Sequence, residues 1–325
     1  MEKWLKMPKA VCQARESGKG LHWAIEILIF IAVFFACAIA EVLVVTPLQL
    51  VFLLSDQRFL DAVASGSSVE FAVRVAETSL GENQDLYMIA SLFSTGVMIL
   101  LIILFCRLIQ KRKLTSIGFV KKGFLKEYIK GIAAGAALFS AAVLICIVTG
   151  ALKVEYVAGT FTLPLLLLFA AGYMVQGMAE EVLCRGYFMV SLGRRYSMTT
   201  AVLINSVAFA ALHLLNPGIA PLAIINLTLF GIFASVCFIK TENIWLIGAL
   251  HSVWNLVQGN IYGIKVSGGT SECTVLTSVM AEGKEFLNGG EFGLEGGLAV
   301  TVVLAAGTAF LLFYKNKNNL AVKES

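Results

Sequence analysis

Eight apolar runs of helix-spanning length divide this chain, at about 23–54, 86–106, 129–150, 162–190, 199–215, 219–239, 244–261 and 296–314. A run of that length has few ways to fold. In hydrocarbon every backbone N–H and C=O must find its partner inside the chain, and a helix does this within one segment. The sequence therefore predicts an all-α fold: a polytopic membrane helix bundle of about eight transmembrane helices, with 1–325 as a single membrane domain. Composition agrees, because 58% of the residues are hydrophobic, mean hydropathy is +0.84 and only 14% are charged. Soluble domains carry about 25% charged residues. The first run is over-long and holds Pro47, so a tilt, a kink or an extension beyond the bilayer is expected there. The fourth is also long, and its last turns are expected to be amphipathic.

The basic residues set the orientation. They gather in the N-terminal tail, between Arg107 and Lys130, at Arg194 and Arg195, at Lys240, and at Lys315, Lys317 and Lys323. The intervening loops hold few: Arg58, Arg74, Lys153, Lys265 and Lys284. The two sets alternate over eight crossings, which places both termini in the cytoplasm. The acidic loop 55–85 and the glycine-rich loop 262–295 then lie outside. The basic lead before Trp23 precedes an apolar run longer than a signal-peptide core, so it reads as a retained tail followed by an anchor. Net charge is +4, but the basic residues sit at span ends and form no stripe, so nucleic acid is not an expected partner. The seven cysteines are scattered without a CxxC, which favours neither a zinc ribbon nor a disulfide framework. Cys273 is the one expected to face an oxidising compartment, with no evident partner. No P-loop, GxGxxG or HExxH is present, and the stretch Asn288 to Gly297 has no helix or strand period.

Ionisable groups inside spans cost about 3 kcal/mol on insertion scales and tend to face a partner or a cavity. Two of the three histidines, His213 and His251, lie in apolar runs, and a third run carries Glu180, Glu181 and Arg185. On a helix Glu181 and Arg185 share a face at i,i+4 and can pair. Glu180 is rotated about 100° away, with Gln176 on its own face. A carboxylate left free of the pair suits a general base; a triad that only locks helices together is the other reading. His213 has Phe209 at i−4, and Asn205 lies two turns back. His251 and Asn255 share one face, which Gln258 extends. Asn can donate to a developing oxyanion, or it can act as polar glue between helices.

The order Glu-Glu-x-x-x-Arg, Phe-x-x-x-His, His-x-x-x-Asn resembles the CPBP family, the CAAX prenyl protease and bacteriocin-processing (Abi-type) membrane endopeptidases. Here it reads Glu180-Glu181…Arg185, Phe209…His213 and His251…Asn255, all intact, and Arg185-Gly186-Tyr187 also fits the family's habit. The resemblance covers roughly 163–261 and implies a catalytic core there, with 262–295 an extracytoplasmic loop beyond it. It implies peptide-bond hydrolysis within the bilayer. By motif position Glu180 activates water and His213 helps to hold it. His251 and Asn255 stabilise the oxyanion, while Glu181 and Arg185 support. The family is often labelled metalloprotease, and Glu180, His213 and His251 would be the ligands of a zinc ion. The resemblance also supports a metal-free, glutamate-activated water, which is the favoured expectation.

Two other classes compete. One is a non-catalytic membrane scaffold or immunity protein that binds a bacteriocin-like peptide or a sensor kinase. The other is a proton-coupled transporter, against which stands the lack of any inverted repeat. The expected partners are a peptide or protein substrate with a membrane-associated segment and the lipid bilayer. The compact loops and missing eukaryotic targeting signals point to a bacterial plasma membrane.

Overall fold

The computed structural model describes residues 5–157 and 159–313. Lys3, Lys315, Lys317 and Lys323 of the charge argument lie outside them. The chain is mostly helical. A short helix α1 (Lys9–Glu16) precedes α2 (Trp23–Ser55), which runs unbroken through Pro47. At about 1.5 Å per residue its 33 residues exceed a hydrocarbon core of about 30 Å, so it is the expected over-long span. Next come α3 (Gln57–Ala64), α4 (Val69–Glu82), α5 (Gln84–Ile109), α6 (Phe124–Val148), α7 (Leu163–Gly193), α8 (Met198–Ala211), α9 (Pro221–Thr241), α10 (Trp245–Leu256) and α11 (Leu298–Phe313).

Among the described residues five helices are long and apolar enough to cross a membrane: α2, α5, α6, α7 and α9. The other three expected spans are also helical but shorter. They are α8, α11, and α10 with its π-helical extension Val257–Ile261. Local chemistry sets their starts. Ser197 caps α8 by accepting from the Thr200 amide, and Pro221 begins α9, where a missing N–H costs nothing.

Helix α10 is clamped at the centre, between α6 and α7. On the α6 side a Cβ at Gly131 or Gly135 would fall on the carbonyl oxygens of Leu246 and Leu250. On the α7 side a Cβ at Gly177 would lie 2.5 Å from the Ser252 amide nitrogen. Small residues let these backbones touch, which is how helices gain packing where lipid is as apolar as the side chains. Helix α9 packs against α8 on one flank and α11 on the other.

Three expectations need correction. The last turns of α7 are not amphipathic: every residue from Val182 to Gly193 is buried. They are covered by α5, by α8 and by the N-terminal segment, where Val11 and Ala14 are buried and Arg15 donates to the Gly193 carbonyl. That part of α7, Val182–Met189, is π-helical, and the buried Arg112 guanidinium donates to the carbonyls of Gly186 (2.8 Å) and Tyr187 (3.4 Å). The acidic loop 55–85 holds α3 and α4, joined where Arg58 bridges Asp56 and Glu82. Finally, the fold has a small sheet. Strand β1 (Leu152–Glu155) pairs antiparallel with β2 (Thr277–Met280) from the glycine-rich loop. Each strand is only 4 residues long, too short for an alternating pattern to stand out.

Candidate active site

The glycine-rich loop 262–295 folds back on the bundle. Asn260 donates to the Cys273 carbonyl (2.7 Å), Gln258 to that of Lys265 (2.6 Å) and Asn288 to that of Ala151 (2.9 Å). Phe292 and Leu294 are fully buried, and so is Cys273. Val266, Ser267, Gly269 and Glu295 then form one wall of a cavity of about 350 Å³, whose other walls come from α7, α8, α9, α10 and α11. The Glu295 carboxylate is held by the Ser267 amide and hydroxyl, both at 2.9 Å.

Glu180, His213, His251 and Asn255 all line this cavity, so the four side chains singled out in the sequence converge from three helical segments. Glu180 has two unlike oxygens. Oε1 accepts a hydrogen bond from Gln176 Nε2, while Oε2 is buried with no partner. Gln176 in turn accepts from Asn255 Nδ2 at 3.0 Å. A side-chain amide thus ties the carboxylate on α7 to the asparagine on α10. An NH₂ group has two protons, so Asn255 keeps one to give elsewhere.

Glu181 lies behind this surface, fully buried. Its Oε1 accepts from Arg185 Nη1 and from His251 Nδ1, both at 2.9 Å. The expected Glu181–Arg185 pair is therefore one side of a three-residue chain that also orients His251. With Nδ1 donating to Glu181, the neutral ring carries its lone pair on Nε2. That atom lies 3.8 Å from Glu180 Oε2. The gap is too long for a direct hydrogen bond and short enough for one water to touch both.

His213 follows the end of α8. Its Nδ1 donates to the Phe209 carbonyl at 2.9 Å, so its lone pair is also on Nε2. Phe209 sits between the Arg185 guanidinium, 4.6 Å from the ring centroid, and the His213 ring at 4.8 Å. Its place in the motif has a physical reason: it fills the space between the buried cation and the imidazole. Asn205 is not part of the site; it donates to Ser235 across the α8–α9 contact.

The zinc set Glu180, His213 and His251 is not assembled. Among the described residues no three His, Cys, Asp or Glu side chains group so as to hold a metal ion. The residues as they stand do not fit one.

Residues 161–257 match the family model described as type II CAAX prenyl endopeptidase Rce1-like. The match supports a resemblance of this segment to the CPBP family of intramembrane endopeptidases. The match begins two residues before α7 and ends just after α10, so it contains Glu180, His213, His251 and Asn255. It supports CAAX-type intramembrane proteolysis in general terms. No curated protein and no solved structure matches the chain.

Three features of the site were not read from the sequence. The Gln176 bridge was visible only as a residue on the Glu180 face. The bond from His251 to Glu181 joins residues 70 positions apart, which no local pattern reports. The wall made by the glycine-rich loop carried no periodic signal at all.

Proposed function

We propose that the chain is an intramembrane endopeptidase of the CAAX protease and bacteriocin-processing type. In this reading it hydrolyses a peptide bond with a water activated by Glu180 and without a metal ion. The observation that carries the reading is the unpartnered Glu180 Oε2, on a residue that lines the cavity and 3.8 Å from His251 Nε2. A water between them would give its proton to Glu180 as its oxygen attacks the substrate carbonyl carbon. The free proton of Asn255 would donate to the oxyanion as it forms. Glu180 would then pass the proton to the leaving amine, and the products are an acid and an amine.

Within this mechanism the histidines share one task. Both have Nδ1 committed, His213 to a carbonyl and His251 to Glu181, so both offer an acceptor to water. Oxyanion donation falls mainly to Asn255, and His251 joins it only when it carries a second proton. Glu181 and Arg185 position His251.

We further read the chain as eight spans with cytoplasmic termini in a bacterial plasma membrane. Helices α8, α10 and α11 would be the shorter crossings, and the loop 262–295 would cap the cavity from outside. The substrate would be a peptide or protein with a membrane-associated segment, such as a leader-bearing or bacteriocin-like precursor.

The test is peptide-release profiling in membranes of wild type against Glu180→Gln. Peptides present with wild type and missing with the variant, at equal protein level, are expected. Identical profiles would sink the protease reading in favour of a scaffold.

A further inference from the structure

One intramembrane carboxylate plays no part in this chemistry. Glu41 lies in the middle of α2, in a run that is otherwise almost wholly apolar. Its Oε1 is buried and has no hydrogen-bond partner, and no ion pair reaches it among the described residues. Carboxylates at such depth are costly and are kept where something pairs with them.

Glu41 lines a second cavity, of about 530 Å³, formed between α2 and α5 with Gln176 of α7 at its inner end. The lining is mostly apolar, with polar side chains set into it. Besides Glu41 the polar ones are Thr46, Gln49, Tyr87, Ser91, Ser94, Thr95 and Gln176. Three of the five hydroxyls are spent on their own helices: Thr46 donates to the Val42 carbonyl, Ser94 to that of Ser91 and Thr95 to that of Leu92. No Lys or Arg lines the cavity, so no cation there neutralises Glu41.

This cavity adjoins the active site. Met88, Leu92 and Gln176 line both. Gln176 presents its amide proton to Glu180 and lines the Glu41 cavity as well. Glu180 and Glu41 thus line the two cavities that Gln176 joins, and no Lys or Arg lines either. Arg185, the nearby cation of the catalytic group, is turned away toward Glu181, Phe209 and the Gly231 carbonyl.

We propose that the α2–α5 cavity is a substrate subsite that takes one Lys or Arg side chain of the peptide, with Glu41 as its counter-charge. The inference rests on the endopeptidase reading above. A long basic side chain suits the site because its methylenes can lie on Met88, Leu92 and Val45 while the charged end reaches Glu41. It satisfies a carboxylate that otherwise has no partner, and it leaves the scissile bond on the Glu180 side of Gln176. An acidic residue at the same position of the peptide would meet two like charges and be rejected. The site thus selects by charge, which the apolar cavity walls cannot do.

The experiment uses the full-length protein in liposomes and a library of apolar peptides. Each peptide carries Lys, norleucine or Glu at one position near the centre, and products are read by mass spectrometry. For wild type, cleavage is expected to favour Lys at one fixed distance from the cut bond. Glu41→Gln is expected to lower the Lys-to-norleucine ratio of kcat/KM about 30-fold or more, as for the loss of one partner of a desolvated charge pair. Glu41→Lys is expected to reverse the preference toward the Glu peptide. Thermal unfolding of each variant checks that it is folded.

An unchanged Lys-to-norleucine ratio in folded Glu41→Gln overturns the subsite. So does an equal fall for all three peptides, which would make Glu41 a structural or proton-handling group. Wild type that cuts the library without preferring Lys also overturns it, while leaving the protease reading intact. Cleavage that persists in Glu180→Gln removes the protease reading itself, a result the Glu41 variants do not produce.

Discussion

Helices α2 and α9 are both apolar enough to cross a membrane, yet they do opposite work. In the apolar stretch of α2 11% of the residues are buried; in that of α9 the figure is 67%. Helix α2 turns Leu28, Ile39, Val42 and Leu43 outward, whereas α9 buries Asn226, Phe230, Phe233 and Ser235 inside the bundle. The pair teaches that apolarity measures the solvent a helix can tolerate, and says nothing of whether lipid or protein supplies it. Polar residues make the distinction. Asn226 donates to the Glu295 and Gly297 carbonyls and accepts from Thr301, so it fixes the glycine-rich loop and α11 to α9. Helix α2 has Glu41 instead, with nothing opposite.

The sharpest test of that division separates two adjacent carboxylates. Glu180→Gln is expected to abolish cleavage while leaving the amount of folded protein near wild type, because Oε2 supports no packing. Glu181→Gln is expected to unfold or deplete the protein, since it strips a partner from Arg185 and His251 together. Breaking a buried pair in this way typically costs about 3–5 kcal/mol. Membrane abundance and thermal unfolding measure both, and equal losses in the two variants would refute the assignment.

Next in size is Asn255→Ala, expected to lower kcat roughly 10²–10³-fold, the usual cost of one oxyanion donor. If KM rises instead and kcat holds, Asn255 only ties Gln176 in place.

Packing contrasts follow. Gly135→Leu on α6 must push α10 away from the Leu250 carbonyl, and overpacking of this kind costs about 1–3 kcal/mol. Leu43→Ala on the outward face of α2 is expected to stay within about 0.5 kcal/mol. Matching shifts in unfolding temperature would erase the distinction between a core and a lipid-facing helix.

The smallest effect concerns the join of α3 and α4. The hydrogen bond from Arg58 holds the Asp56 carboxyl well below its ordinary value, and Arg58 likewise lowers that of Glu82. Lowered carboxyls contribute stability that is complete at neutral pH and is lost only as pH falls through their folded values. The join is therefore expected to resist acid below the ordinary carboxylate range of about 4. Arg58→Gln should shift its opening up toward that range, read as proteolysis of 57–82 against pH. The groups are exposed, so the change is expected to be slight.

Much of the site was legible because its motifs are local. Glu181 and Arg185, His213 and Phe209, and His251 and Asn255 each sit one helical turn apart, and a turn is a property of sequence. Helix positions were legible for the same reason. The loops were not: β1 meets β2 across more than 120 residues, and the turns around Gly289 and Gly293 adopt positive φ without repeating any pattern.

The sequence by itself determined that this chain forms apolar helices, roughly where each lies, and which few residues resist a lipid environment. Those follow from hydrocarbon's refusal of unpaired backbone and charge. Tertiary structure alone decided which oxygen of each glutamate stays free and which glutamate lines the cavity. Gln176 took Oε1 of Glu180, while Arg185 and His251 together took Oε1 of Glu181. A hydrogen bond between helices depends on their relative rotation and spacing. Here those are set by glycine contacts along α6 and α7, and no single helix carries that information.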